Sequence, residues 1–143
     1  MVDKQFYESY IYNMLKLQIQ NQKKKFVLYP NGEITRLVRD ILVDKYGISP
    51  VFIVDNINFD GETVLNLEQA SQKTESDVYY IVCSDRDDIY DIIRNNLKLY
   101  IKSEQIIDLF PKLYNEEFRT KITNLLDLFD NEIEVLEKKY VRD

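Results

Sequence analysis

Histidine is missing from all 143 residues of this chain. A Ser-His or Cys-His nucleophile pair therefore cannot be assembled from it, nor a zinc or iron site held by imidazole. General acid or base work would fall to Asp, Glu, Lys, Tyr or the single cysteine, Cys83. One cysteine allows no intrachain disulfide, and nothing points to an oxidising compartment. No apolar run approaches the roughly 18 residues of a membrane span, and Met1 to Gln5 show no signal-peptide core, so a cytoplasmic protein is expected. Glycine and proline number only three each, so each marks a break in the pattern: Gly32, Gly47 and Gly61; Pro30, Pro50 and Pro111.

Basic residues are also scarce where a polyanion would need them. Residues 1–25 carry five cations against two acids, residues 26–110 eight against fifteen, and residues 111–143 six against eight. The globular part is thus acidic. Backbone-dominated affinity for nucleic acid requires a basic surface that releases counterions, so nucleic acid is not expected as a partner. The Lys23-Lys24-Lys25 run reads as the solvated end of a helix, where cations suit the C-terminal dipole.

What is present is organised around residues 25–56. An apolar run, Phe26 to Tyr29, meets a Pro30-Asn31-Gly32 turn, and the spacing then becomes helical. Ile34, Leu37, Val38, Ile41, Leu42 and Tyr46 share one face. Gly47 stands where a left-handed C-cap belongs, and Pro50 opens a second apolar run, Val51 to Val54, ending at Asp55-Asn56. This is a β-turn-α-β unit. Beyond it the spacing predicts a short edge strand at 63–65, a helical turn or two over 67–72, and a fully covered strand at 78–83. A helix to about residue 100 follows, with Ser84 and Asp87 as its capping pair, and then a last strand from 105 closed by Pro111. Residues 3–22 read as a helix with a tyrosine-rich stripe, and Asn115 is a good N-cap for a helix over 116–141.

Alternating strands and helices with short links imply an α/β fold: a Rossmann-like parallel sheet of four or five strands, helices on both faces, and long N- and C-terminal helices. The expected spatial order is 63–65, 51–54, 26–29, 78–83, 105–108. The expected division is an N-terminal helix at 1–24, a nucleotide-binding-type domain at 25–111 and a C-terminal helix at 112–143. That last helix would be about 39 Å long. Its stripe of Phe118, Ile122, Leu125, Phe129, Ile133, Leu136 and Tyr140 is close to a heptad seam, and pairing with the N-terminal helix predicts a homo-oligomer.

Strand order reverses between the strands at 26–29 and 78–83, and the loops after them should part into a crevice. One wall would be Pro30, Asn31, Gly32 and Glu33, leading into a helix start that favours an anion. The other would be Ser84, Asp85 and Arg86, with Arg86 able to grip a phosphate bidentately. Asp55, with Asn56 beside it, lies 23 residues past Gly32, near the ~20-residue offset of an acid that accepts from ribose hydroxyls. Asp85-x-Asp87 has the spacing of a glycosyltransferase metal motif, but helix capping accounts for it more simply. Tyr12-x-x-x-Lys16 has the spacing of a dehydrogenase pair but precedes the first strand, outside that pair's context. No catalytic or metal-ligating residue is assigned, and Cys83 reads as a small buried strand residue.

The segments Phe26 to Leu42, Tyr46-Gly47, Phe52 to Asn56, Val64 to Leu67 and Ile106 to Phe110 resemble, in that order, a small Rossmann-like module of bacterial glycan biosynthesis. The likeness is to the N-terminal sugar-nucleotide-binding domain of β-helix sugar acetyltransferases, and to epimerase-like segments beside methyltransferases and glycosyltransferases. It implies a UDP-sugar or other nucleotide as ligand, with loop 30–33 near a pyrophosphate and Asp55 near the nucleoside. Where that family's loop usually carries two or three glycines, this chain has Pro30 and Asn31 before Gly32. Two functions are therefore expected from the chain. One is a non-catalytic binding module for a sugar nucleotide; the other is a degenerate Rossmann-like scaffold that oligomerises or docks a glycan-pathway enzyme.

Overall fold

The computed structural model describes residues 4–110. The elements are α1 (Lys4–Gln20), β1 (Lys25–Tyr29), α2 (Glu33–Tyr46), β2 (Phe52–Val54), β3 (Val64–Leu65), α3 (Leu67–Gln72), β4 (Val78–Val82), α4 (Asp87–Lys98) and β5 (Ile106–Asp108). The five strands form one sheet in the order β3-β2-β1-β4-β5, and every pairing is parallel. This is the order expected from the sequence. The helix expected over 116–141, and the oligomer seam drawn on it, lie outside the described residues.

β1 and β4 make the centre, with Val27 opposite Tyr80 and Tyr29 opposite Val82. Phe26, Val27 and Leu28 are fully buried, as a strand covered on both faces requires. Each such side chain contributes about 1.5–3 kcal/mol. The half-exposed Lys25–Asp77 ion pair at the start of β1, 2.9 Å long, is screened by solvent and adds far less. Burial therefore decides the strand, and the ion pair only trims its end.

Neighbouring residues in a strand face opposite ways, which assigns the helices to the two sides of the sheet. The Tyr79 ring lies under the Lys23 ammonium just past α1, whereas the Tyr80 hydroxyl meets the Thr74 hydroxyl just past α3, at 2.5 Å. Tyr29, on the Tyr80 side by register, is reached by the Asn96 amide of α4. α1 and α2 thus cover one face, α3 and α4 the other. α1 is joined to the core through buried Ile11 and Leu15, and the Tyr46 hydroxyl of α2 donates to the Tyr12 carbonyl at 3.0 Å. Tyr12 also stacks on Tyr46, with centroids 5.4 Å apart, so this tyrosine serves packing, while Lys16 is exposed. No helix among the described residues is long and apolar enough to cross a membrane.

Helix ends follow local chemistry. Gly47 takes φ 66°, ψ 25°, and Ile48 N–H returns to the Leu42 carbonyl at 2.9 Å, the expected left-handed cap of α2. Asn66 and Gln69 close a reciprocal capping box on α3, at 2.8 and 3.2 Å. The capping pair expected from Ser84 and Asp87 is not the one α4 uses. Arg86 is its N-cap and makes no side-chain cap bond, and the Ser84 Oγ accepts the Arg86 N–H at 3.2 Å instead. Ahead of β5, a 3₁₀ turn at Ser103–Gln105 aims the buried Gln105 amide at the Glu75 and Val78 carbonyls, 3.0 and 2.9 Å away.

Candidate functional site

The loops after β1 and β4 part where the strand order reverses, and a cleft of about 640 Å³ lies between them. Six of the residues expected there line it: Pro30, Gly32 and Glu33 on one wall, Ser84, Asp85 and Arg86 on the other. Asn31, Asp55 and Asn56 are not among its lining residues.

The reason is visible in their bonds. Asp55 is buried and accepts from the Asn31 N–H at 3.1 Å, the Ile57 N–H at 2.8 Å and the Asn58 N–H at 2.9 Å. Its carboxylate ties the loop after β1 to the loop after β2. Asn56 accepts the Leu67 N–H at 2.8 Å and so serves the start of α3. On the other side of the loop, Thr35 donates to the Pro30 carbonyl and accepts the Gly32 N–H at 3.1 Å. The Tyr29–Pro30 peptide is cis. Loop 30–32 is thus held from both sides, and the Asn31 and Gly32 amides are already engaged. The first donor within α2 is Arg36, to the Gly32 carbonyl at 3.3 Å, which leaves the amides of Glu33, Ile34 and Thr35 at the helix start.

Gly32 is the N-cap of α2 in an extended conformation, φ −138°, which any residue adopts. A Cβ built there meets nothing within 4 Å. Neither backbone nor packing calls for glycine at this point of the cleft wall. A side chain there would enter open space.

The opposite wall is charged and internally paired. Arg86 holds Asp88 through Nε at 3.2 Å and Nη2 at 2.6 Å, and this fork keeps the Asp88 carboxyl below its ordinary range. The bidentate grip expected for a phosphate is filled by a carboxylate two residues away. Asp85 accepts the Tyr7 hydroxyl at 2.8 Å. Cys83 closes the floor; burial pushes its thiol up to about 12, so it stays protonated at neutral pH.

A third wall comes from α1, through Lys4 and Tyr7. Tyr10, one turn on, donates to the Leu109 carbonyl at 2.5 Å and stacks on Phe110, fixing this end of α1 to the end of β5. The tyrosine stripe signalled a half-buried surface, but nothing in its spacing said which loop it would meet. Ile34, Arg36 and Leu37 of α2 and Ile89 of α4 complete the lining.

Compared with protein-family models, curated proteins and solved structures, the chain matches none.

Proposed function

We propose that the protein is a cytoplasmic, non-catalytic binding module for a sugar nucleotide or related nucleotide in bacterial glycan biosynthesis. The observation that carries this reading is the cleft itself, about 640 Å³ at the switch point of a parallel sheet and bounded by the start of α2. Its volume falls within the ~300–1,000 Å³ of small-molecule sites. Gly32 adds support, since a glycine that neither backbone nor packing needs leaves room for a ligand. The sugar-nucleotide part rests on the resemblance of residues 25–110. A reaction is left out because the cleft's thiol is held protonated and its Asp85 is engaged by Tyr7.

The test is a thermal-shift and calorimetric screen of the full chain against UDP-sugars, UDP, NAD and coenzyme A. A nucleotide at 100 times its dissociation constant should add roughly 2.7 kcal/mol of stability. Gly32→Val, which projects into open space, should keep the fold and lose that shift. Failure of every nucleotide to stabilise the protein would end this reading.

A second reading, a scaffold that associates with another copy of itself and docks a glycan-pathway enzyme, is favoured by exposed apolar residues on α4 and just past its end. Ile92 and Leu99, seven residues apart, are 59% and 75% exposed, with Tyr100 beside them at 48%. Light scattering at micromolar concentration should then give a dimeric mass that Ile92→Glu with Leu99→Glu returns to monomer. A monomeric mass for the wild type would exclude self-association.

A further inference from the structure

Four arginines lie among the described residues, and three are matched to carboxylates: Arg39 with Asp40 at 3.5 Å, Arg86 with Asp88 at 2.6 Å and Arg94 with Asp108 at 2.7 Å. Arg36 has no carboxylate partner among them, is exposed, and lines the cleft. It also sits in the first turn of α2, where the helix dipole disfavours a cation. Lys4, on the same cleft, has only a surface contact with Glu8 at 3.7 Å. The ribose-reading acid of a dinucleotide site is, by contrast, closed off, because Asp55 is buried and spends its carboxylate on three backbone amides.

We infer that Arg36, helped by Lys4, takes the anionic group of the cleft's ligand, and that this ligand is a phosphate ester recognised through its phosphate and not through its ribose. The inference rests on the cleft being a ligand site. A planar guanidinium offers paired N–H donors that match two phosphate oxygens, and Arg36 has its donors to spare where Arg86 does not. Tyr7, Pro30, Ile34, Leu37 and Ile89 give the body of such a ligand an apolar bed. A dinucleotide would also have to occupy the end of β2, which the Asp55 bridge holds shut. The ligand class is therefore a nucleoside diphosphate or a smaller sugar phosphate.

Calorimetry on the full chain separates the possibilities, with UDP, dUDP, uridine and glucose 1-phosphate as probes. UDP and dUDP should bind within about twofold of each other, while uridine should not bind. Arg36→Ala should weaken UDP at least tenfold, Arg36→Lys should recover part of the loss, and Arg86→Ala should change it less than threefold. Circular dichroism of each variant checks that these exposed substitutions keep the fold. If UDP binds but Arg36→Ala is silent, or Arg86→Ala carries the loss, the assignment to Arg36 falls while the cleft remains a ligand site. If dUDP binds tenfold more weakly than UDP, recognition through the ribose is restored and the phosphate-only reading falls. If none of the phosphate probes binds while another nucleotide of the screen does, this ligand class is wrong. If glucose 1-phosphate binds and no nucleotide does, the proposed function falls and this inference stands; if neither it nor any nucleotide binds, both fall together.

Discussion

Removing the Asp55 carboxylate should destabilise the protein with no ligand present. In Asp55→Ala the N–H groups of Asn31, Ile57 and Asn58 all lose their acceptor. A hydrogen bond to a charged acceptor contributes about 1.5–3 kcal/mol net, and a buried donor left unpaired costs about 1–3 kcal/mol. The three losses do not add in full. Ile57 and Asn58 belong to an exposed loop that recovers water once it relaxes, whereas Asn31 sits in the half-buried turn between β1 and α2. About 2–4 kcal/mol is the expected total, a fall in Tm of roughly 10 °C for a chain of this size. Asp55→Asn keeps one oxygen for the Ile57 and Asn58 amides but presents an amide to the Asn31 N–H, so it should cost about half as much. Urea unfolding followed by circular dichroism measures both. An Asp55 kept chiefly to face a ligand would be a strained group whose removal leaves the empty protein as stable as before, or more so. A stability of Asp55→Ala equal to wild type would refute the bridging role.

Gly47→Ala should cost about 1 kcal/mol in the same assay, because φ is +66° while a Cβ meets nothing within 4 Å, leaving backbone strain as the sole penalty. A neutral result would show that the α2 cap does not need its left-handed residue. Gln105→Glu should destabilise by about 2–4 kcal/mol at pH 7, since a carboxylate would face the Glu75 and Val78 carbonyls, and the deficit should shrink as pH falls and the new acid is protonated. The Cys83 thiol, raised by burial from 9.0 to about 12, contributes stability that is complete below pH 9 and is lost as pH rises toward 12. Alkylation should therefore be slow at pH 7.5 in the folded protein and fast in urea, and rapid labelling of the native state would contradict the buried position.

Strand order was readable from the chain because β1 and β4 are unbroken apolar runs that fit only the middle of a covered sheet, and the helical stretches between strands force parallel crossovers. The meeting of loops 30–33 and 84–86 follows from that order alone. What spacing does not reveal is how each polar side chain spends its bonds. An acid after a strand looks the same in sequence whether it accepts from a ribose or from three amides, as Asp55 does. Arg86 looked free because Asp88, two residues on, is not a helical neighbour by periodicity, yet the residues at the start of α4 bring the two together. The capping pair was misread for the same reason: Ser84 had a nearer donor in Arg86. The α1 wall was hidden because tertiary hydrogen bonds from Tyr7 and Tyr10 dock that helix, and no periodicity encodes their partners.

The bonding of loop 30–32 bears directly on how an anion can be held here. In a glycine-rich phosphate loop the backbone amides converge on the ligand, so recognition is short-ranged and little affected by salt. Here the Asn31 amide is given to Asp55 and the Gly32 amide to Thr35, which is why Pro30 and Asn31 can stand where glycines would otherwise be required. Apart from the amides at the start of α2, binding energy for an anion then comes from side chains on the cleft rim, and Arg36 and Lys4 are both exposed. Exposed charges are screened over a Debye length of about 10 Å at 0.1 M salt. Affinity for UDP should accordingly fall steeply between 20 and 200 mM salt (roughly the range over which that length shrinks from about 20 to 7 Å), and the slope should flatten in Arg36→Ala. An affinity indifferent to salt would mean that the amides of Glu33, Ile34 and Thr35 at the start of α2, and not the rim cations, hold the phosphate.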